Sequence, residues 1–241
     1  MIEPLLLTAA HVATFNGEQQ LTNASGFYFE RDERLFLVTS RHVLADSLSR
    51  HFPDRIEIEL HLDADNVANS VSFSMLLYEE GQNVWREESD LSGLIDVAAI
   101  EIDKEALAPD VCYRAFTPRN LAIGYDGIEA GTSLLVIGFP LGFHDTLHHM
   151  PVVRHAIIAS SFGLRFQGQG YFLTDGRTHR GTSGAPVVMR ASEIEQLNEL
   201  PWLLLGVHSA RIDVGTRDLS MDEALGLNSA WYADVLLKLT E

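Results

Sequence analysis

Short apolar runs, many of them alternating with polar residues, are separated along this chain by glycine, proline, asparagine and aspartate. That pattern predicts strands rather than helices. They fall at 26–30, 35–39, 55–62, 71–77 and 97–102 in the first half, and at 133–138, 152–160, 171–174, 185–189 and 203–208 in the second. The stretch 109–131, with Pro118 and glycines at 124 and 127, reads as the connection between the two sets. Near the end, Trp231, Val235, Leu236 and Leu239 recur at helical spacing behind Asn228 or Ser229 as a cap, which predicts a surface helix over 228–239. Many short strands with turn residues between them suit barrels or sandwiches.

At 241 residues the chain is long for one average domain, its 46% apolar content can furnish a substantial core, and no repeat of solenoid period is visible. A net charge of −17 argues against nucleic acid and anionic membranes as partners. A single cysteine, Cys112, excludes internal disulfides and favours a reducing compartment. The opening Met1-Ile2-Glu3-Pro4 carries no basic leader, and no segment reaches the roughly eighteen apolar residues of a membrane span. A cytoplasmic location is therefore expected.

The candidate chemistry centres on Gly181-Thr182-Ser183-Gly184-Ala185-Pro186. Glycines on both sides of a serine allow a tight turn, in which the amides of Gly181 and Ser183 can point at one developing oxyanion. Serine becomes a nucleophile only when a base takes its proton, and that base needs an orienting carboxylate. The apolar strand Leu35-Phe36-Leu37-Val38-Thr39 runs into Ser40-Arg41-His42, and Asp96 stands at the mouth of Val97-Ala98-Ala99-Ile100. The chain order is His42, Asp96, Ser183. Hydrolases whose serine comes first, or whose aspartate comes first, do not fit this order.

On these segments the chain resembles the trypsin-like (chymotrypsin-fold) serine peptidases of the disulfide-free bacterial type. Asn23-Ala24-Ser25-Gly26-Phe27 resembles the family's opening hairpin, and Gly138-Phe139-Pro140-Leu141-Gly142 a loop of the second barrel in bacterial members. The resemblance implies an all-β fold of two antiparallel six-stranded-type barrels with a C-terminal α-helix. Residues 1–118 would carry His42 and Asp96, 119–225 would carry Ser183 and the specificity pocket, and 226–241 would form the helix. It implies a serine endopeptidase with a Ser-His-Asp triad, no cofactor and no metal, acting on peptides or proteins. Thr182 stands where animal members carry the aspartate of zymogen activation, so restraint would come from elsewhere, such as a regulatory protein partner. No peptide-binding domain is expected after 225.

Competing residues exist. Thr8-Ala9-Ala10-His11 spells the family's histidine motif more literally than Thr39-Ser40-Arg41-His42, but lacks two preceding strands and is read as structural. Asp90 and Asp103 do not lead into the Val-Ala-Ala-Ile run. Thr178, His208, Ser209 and Ala210 occupy positions that in relatives line the substrate pocket. A threonine five residues before the serine, together with His208, implies preference for Glu or Gln, with Arg177, Arg180 or Arg211 as further sources of positive charge. Arg177, where an aspartate would signal basic specificity, argues against cleavage after Lys or Arg. His144, His148, His149 and His155 lack metal-ligand spacing, and the acids at 79–80 and 87–90 read as a solvated loop. A second reading from another class is a latent or inactive protease-fold binding module within a larger assembly.

Overall fold

The computed structural model describes residues 2–122, 124, 127–191, 200–212 and 225–241. Fifteen strands account for nearly half of them: β1 (Ala9–Asn16), β2 (Gln19–Arg31), β3 (Arg34–Thr39), β4 (Arg55–His61), β5 (Ser70–Leu76), β6 (Tyr78–Glu79), β7 (Gln82–Asn83), β8 (Arg86–Asp90) and β9 (Gly93–Ile102) in the first half, then β10 (Ser133–Gly138), β11 (Val152–Ile158), β12 (Tyr171–Asp175), β13 (Pro186–Arg190), β14 (Trp202–Arg211) and β15 (Leu227–Tyr232). The first set forms a seven-stranded antiparallel sheet in the order β5-β4-β1-β2-β3-β9-β8, and the second closes into a six-stranded barrel, β10-β11-β12-β15-β14-β13. β6 and β7 make a separate small hairpin. The fold is all-β and chymotrypsin-like.

Burial on both faces explains why β3 and the 26–29 part of β2 read as nearly unbroken apolar runs. Phe27 pairs with Val38 and Phe29 with Phe36, and Val38 in turn pairs with Ala99. Those side chains share one core with Val188, Leu204, Val207 and Trp231 of the barrel. Tyr28, Leu35, Leu37, Ala98 and Ile100 point the other way, into a core with Ile56, Ile58 and Leu60. The period-two alternation thus sorts neighbours into two cores, and the first of these joins the sheet to the barrel. Phe172, Ala185, Val187, Leu205 and Ala230 fill the barrel interior.

The C-terminus corrects the sequence expectation. Residues 227–232 are strand β15, hydrogen-bonded to β12 and β14, and helix is confined to a 3-10 turn (Ala233–Val235) and α2 (Leu236–Leu239). Ala230 faces the barrel interior while Trp231 faces the shared core, a two-residue alternation that the 231/235/239 spacing masked. The predicted 228–239 helix, and the assignment of 226–241 to helix, therefore give way to a strand that completes the barrel plus one helical turn. Four further strands were not anticipated, the hairpin strands β6 and β7 among them. β1 covers the Ala9-Ala10-His11 segment, and β8 takes up the acidic stretch expected as a loop, with Arg86 pairing Glu101 of β9 at 3.2 Å. Within the connection at 109–131, Phe116 bridges Phe29 and Leu121 bridges Leu204, while 123, 125 and 126 lie outside the described residues.

Phe29 is fully buried in the core shared by both units. Phe29→Ala is expected to cost about 3–5 kcal/mol in urea denaturation. Phe143, 69% exposed, is the control, and Phe143→Ala is expected to stay within about 0.5 kcal/mol.

Candidate active site

β3 ends at Thr39, and the chain turns at once into the short α1 (Arg41–Leu44), which carries His42. Val43 and Leu44 are buried and anchor that turn in the sheet's own core, so His42 is delivered to the sheet edge. β9 supplies Asp96, between the buried Ile95 and Val97. The carboxylate grips His42 twice: Oδ2 accepts from ring Nδ1 at 2.7 Å and Oδ1 accepts from the backbone N–H at 2.9 Å. Because an ionised carboxylate only accepts, Nδ1 carries the proton and Nε2 is left as a base. Ser209 adds a third contact, its Oγ donating to Asp96 Oδ2.

Burial alone would lower the His42 pKa, but the hydrogen bond and charge of Asp96, with Asp46 nearby, outweigh it and raise the pKa above 6.5. Ser183 lies across the junction, on the turn between Thr182 and Gly184. Its Oγ donates to the backbone carbonyl of Ser209 at 2.9 Å. No hydrogen bond joins it to His42, although both line one cavity of about 510 Å³.

The glycines on either side of Ser183 have separate reasons. Gly184 has φ +85°, and a Cβ there would lie 2.1 Å from the carbonyl oxygen of Ser25. Gly181 has φ +88°, and its Cβ would meet the Phe139 carbonyl oxygen at 2.6 Å. The carbonyl of Arg180 is held by the Leu141 N–H at 2.5 Å. In a planar trans peptide the following N–H points the opposite way, so the Gly181 amide faces away from the 139–142 loop. The N–H groups of Gly181 and Ser183 donate to no acceptor among the described residues.

A second cavity, of about 420 Å³, opens beside Arg180. Thr178 is in its wall, donating to Asn228 Oδ1 at 2.5 Å, and Asn228 Nδ2 donates in turn to the carbonyls of Gly176 and Gly226. Arg177, Arg180 and Arg211 line it, with no carboxylate among its described lining residues. None of the three pairs with an acid among the described residues. Burial and the charges of Arg154, Arg177 and Arg211 lower the pKa of His179 in the same wall. His208 does not line this cavity. It is 2% exposed, its Nδ1 has no hydrogen-bond partner among the described residues, and burial followed by the charge of His42 pushes its pKa down to about 4. Its carbonyl accepts from Gly184 N–H and Ser40 Oγ, so its backbone braces the serine turn. Ala210 is exposed at the end of β14, held by Ser229.

The structure therefore brings His42, Asp96, Ser183, Gly181 and Ser209 together and puts Thr178 in an adjoining cavity. Ser25 and Asn228 were missed. Ser25 looked like the lead-in to a strand, and Asn228 like a helix cap. His11, on β1, stacks on His144 at 5.2 Å and packs on Phe139 at 5.1 Å, away from Asp96. Asp90 caps the β8–β9 turn and pairs with Arg165 at 2.7 Å, and Asp103 caps a 3-10 turn. No three His, Cys, Asp or Glu among the described residues converge as metal ligands, and no helix among them is long and apolar enough to cross a membrane.

A family model described as the trypsin-like peptidase domain matches residues 24–194. Among solved structures, the serine endoprotease from Yersinia pestis aligns at TM-score 0.57 and 17% identity, over 98% of this chain and 62% of that one. The chain thus spans less than two thirds of that protein. Rv3671c from M. tuberculosis H37Rv, in an inactive serine-to-alanine form, aligns at TM-score 0.51 and 14% identity over 97% of this chain and 85% of that one. At such identities the likeness is one of fold. No curated protein matches the chain.

The two histidines should titrate in opposite senses. By NMR, His42 is expected above 6.5 in the native protein and lower in Asp96→Asn, whereas His208 stays neutral until about pH 4. The raised His42 pKa contributes stability that is present below pH 6.5 and lost as pH rises through the native pKa. The depressed His208 pKa contributes stability that is present above 6.5 and lost as pH falls toward about 4.

Proposed function

The chain belongs to the trypsin-like peptidase family, and on that footing we propose that it is a serine endopeptidase with Ser183 as nucleophile, His42 as general base and Asp96 as its orienting acid. The observation that carries the reading is the double grip of Asp96 on His42, which leaves Nε2 free toward the cavity shared with Ser183. Ser183 Oγ attacks the scissile carbonyl carbon as its proton passes to His42 Nε2. The carbonyl oxygen becomes an anion received by the N–H groups of Gly181 and Ser183, each worth roughly 3 kcal/mol in comparable sites. Collapse breaks the C–N bond while His42 returns the proton to the departing amine. Water then attacks the acyl-enzyme carbonyl as it gives a proton to His42, and collapse breaks the ester bond while His42 returns that proton to Ser183 Oγ and the new carboxylate leaves. Asp96 stays ionised throughout.

The arginine-lined cavity is read as the pocket for the residue on the acyl side of the bond. Arg177, Arg180 and Arg211 would meet an entering carboxylate, Thr178 and Asn228 would brace the wall, and Ala210 would flank the substrate backbone. His208, neutral and buried, would act on the pocket only from behind. Formal positive charge with no acid among the described lining residues favours glutamate over the neutral glutamine. A residue range of 1–118 for the sheet unit and 119–225 for the barrel remains our division, with β15 added to the barrel.

One observation favours a second reading, a latent or inactive module: the Ser183 hydroxyl rests on the Ser209 carbonyl instead of on His42. A fluorophosphonate probe separates the two. Labelling is expected in the native chain and in Ser92→Ala, an exposed serine remote in sequence from the site, and is expected to vanish in Ser183→Ala; an unlabelled native protein would favour the module.

Matched peptides ending in Glu, Gln, Leu or Lys at the scissile bond test the pocket. Glutamate is expected to lead leucine in kcat/KM by about tenfold or more, the scale of a charge-assisted hydrogen bond. The lead should shrink as salt is raised. Equal turnover after leucine would refute the acidic pocket.

A further inference from the structure

We infer that Ser25, at the start of the buried part of β2, is a positioning residue for the amides that would receive the oxyanion. The inference rests on the peptidase reading above and adds a residue to it. Ser25 is fully buried, and every polar group it owns is in use. Its N–H donates to the Ser183 carbonyl at 2.9 Å, and its Oγ donates to the Gly181 carbonyl at 2.7 Å. That same Oγ accepts from the Phe139 N–H at 2.9 Å, and the Ser25 carbonyl accepts from Thr39 Oγ1 at 2.8 Å. One residue of the N-terminal sheet therefore holds the carbonyls of both residues whose amides matter, together with the loop that steadies them.

The consequence follows from peptide planarity. A carbonyl pinned at its oxygen fixes the plane of its peptide and hence the backbone torsions on both sides. Gly181, at φ +88°, is the most easily rotated member of the turn. The Ser25 hydroxyl fixes its downstream peptide. Its upstream peptide is fixed by the Leu141 N–H on the Arg180 carbonyl, and Leu141 belongs to the loop that Ser25 grips through Phe139. The space is closely matched to a hydroxyl: a Cβ added at Gly138 would lie 2.5 Å from Ser25 Oγ. Replacing Ser25 with alanine deletes the acceptor for a buried N–H and the donor for the Gly181 carbonyl while keeping its own backbone bond to Ser183. The Gly181 amide then loses its orientation, and the Ser183 amide keeps its own.

The test compares native protein, Ser25→Ala and Ser25→Cys, the last keeping a similar volume with a weaker donor. Each is measured for kcat and KM on the best peptide substrate, and for inhibition by a peptide aldehyde and by the matching alcohol. The aldehyde forms a hemiacetal that needs the oxyanion site, and the alcohol does not. Ser25→Ala is expected to lower kcat by about tenfold to a hundredfold with KM nearly unchanged, less than the about 10²–10³ of deleting an oxyanion donor outright. Aldehyde affinity should fall in step, alcohol affinity should hold, and Ser25→Cys should lie between. Native kcat and aldehyde affinity in Ser25→Ala overturn the inference, as does an equal loss of aldehyde and alcohol binding, which marks a merely structural role. If Ser25→Ala does not fold, the same aldehyde-to-alcohol ratio in Ser25→Cys decides. Native protein that neither labels with the probe nor cleaves overturns the peptidase reading and this inference together; native activity with unaffected variants overturns this inference alone.

Discussion

The site is built on one close approach of backbone to backbone, between β2 and the serine turn. Gly184 sits so near the sheet that a Cβ would fall 2.1 Å from the Ser25 carbonyl oxygen and 2.3 Å from Thr39 Oγ1. Only a residue without Cβ, in a left-handed conformation, permits that contact. Thr39 is the last residue of β3, two positions before the helical turn that delivers His42. The distance between the serine turn and the histidine turn is therefore set by glycine contact and not by long side chains. Around it the bonds from Ser25, Ser40 Oγ to the His208 carbonyl, and Gly184 N–H to the same carbonyl form a stitched seam. The hydrophobic core shared by sheet and barrel supplies the bulk attraction, and this seam supplies the register.

What the sequence made legible was local and directional. His42, Asp96 and Ser183 each sit at the end or mouth of an apolar run, where the change from apolar to polar marks a sheet edge. Glycines at 181 and 184 announced a turn whose need for φ > 0 the structure bears out at both positions. What was not legible depended on partners distant in the chain. Residues 228–239 could satisfy a helical spacing or a strand alternation, and the choice was made by β12 and β14, which needed a neighbour to close the barrel. Asn228 then became a knot of the cavity wall. β8 is polar on its face because it is an edge strand, which no periodicity of buried residues can reveal. Ser25 could not be singled out, since its role lies in carbonyls more than 150 positions away.

The electrostatics reverse locally. The chain carries 34 acids against 17 lysines and arginines, yet three of its arginines line a cavity with no acid among the described lining residues. All three are exposed, so each acts through screened interactions, and the net field of the protein opposes an anion at long range. Binding of a carboxylate there would have to come from short hydrogen-bonded contacts inside the cavity, not from steering. The two histidines near Ser183 are separated by the same logic of environment. His42 has a carboxylate partner and is pulled toward the charged form, whereas His208 has none and is driven neutral by burial. Burial is the largest single influence on His42, and the hydrogen bond and charge of Asp96, with Asp46, together outweigh it.

Ser209 links Asp96 to Ser183, its hydroxyl on the Asp96 carboxylate and its carbonyl under the Ser183 hydroxyl. Before Ser183 can give its proton to His42, that second bond must break. A typical hydrogen bond contributes about 0.5–1.5 kcal/mol net, so leaving the resting position costs at most about tenfold in rate. Rotation of a partly exposed hydroxyl takes picoseconds to nanoseconds, and enzymes of this chemistry lower barriers by about 8 kcal/mol or more. The resting hydrogen bond is therefore too small a term to distinguish an inactive module from a peptidase waiting for substrate. The arrangement that does carry weight is the one that would be costly to keep without use: two amides with no acceptor among the described residues, held beside a serine by the buried network around Ser25.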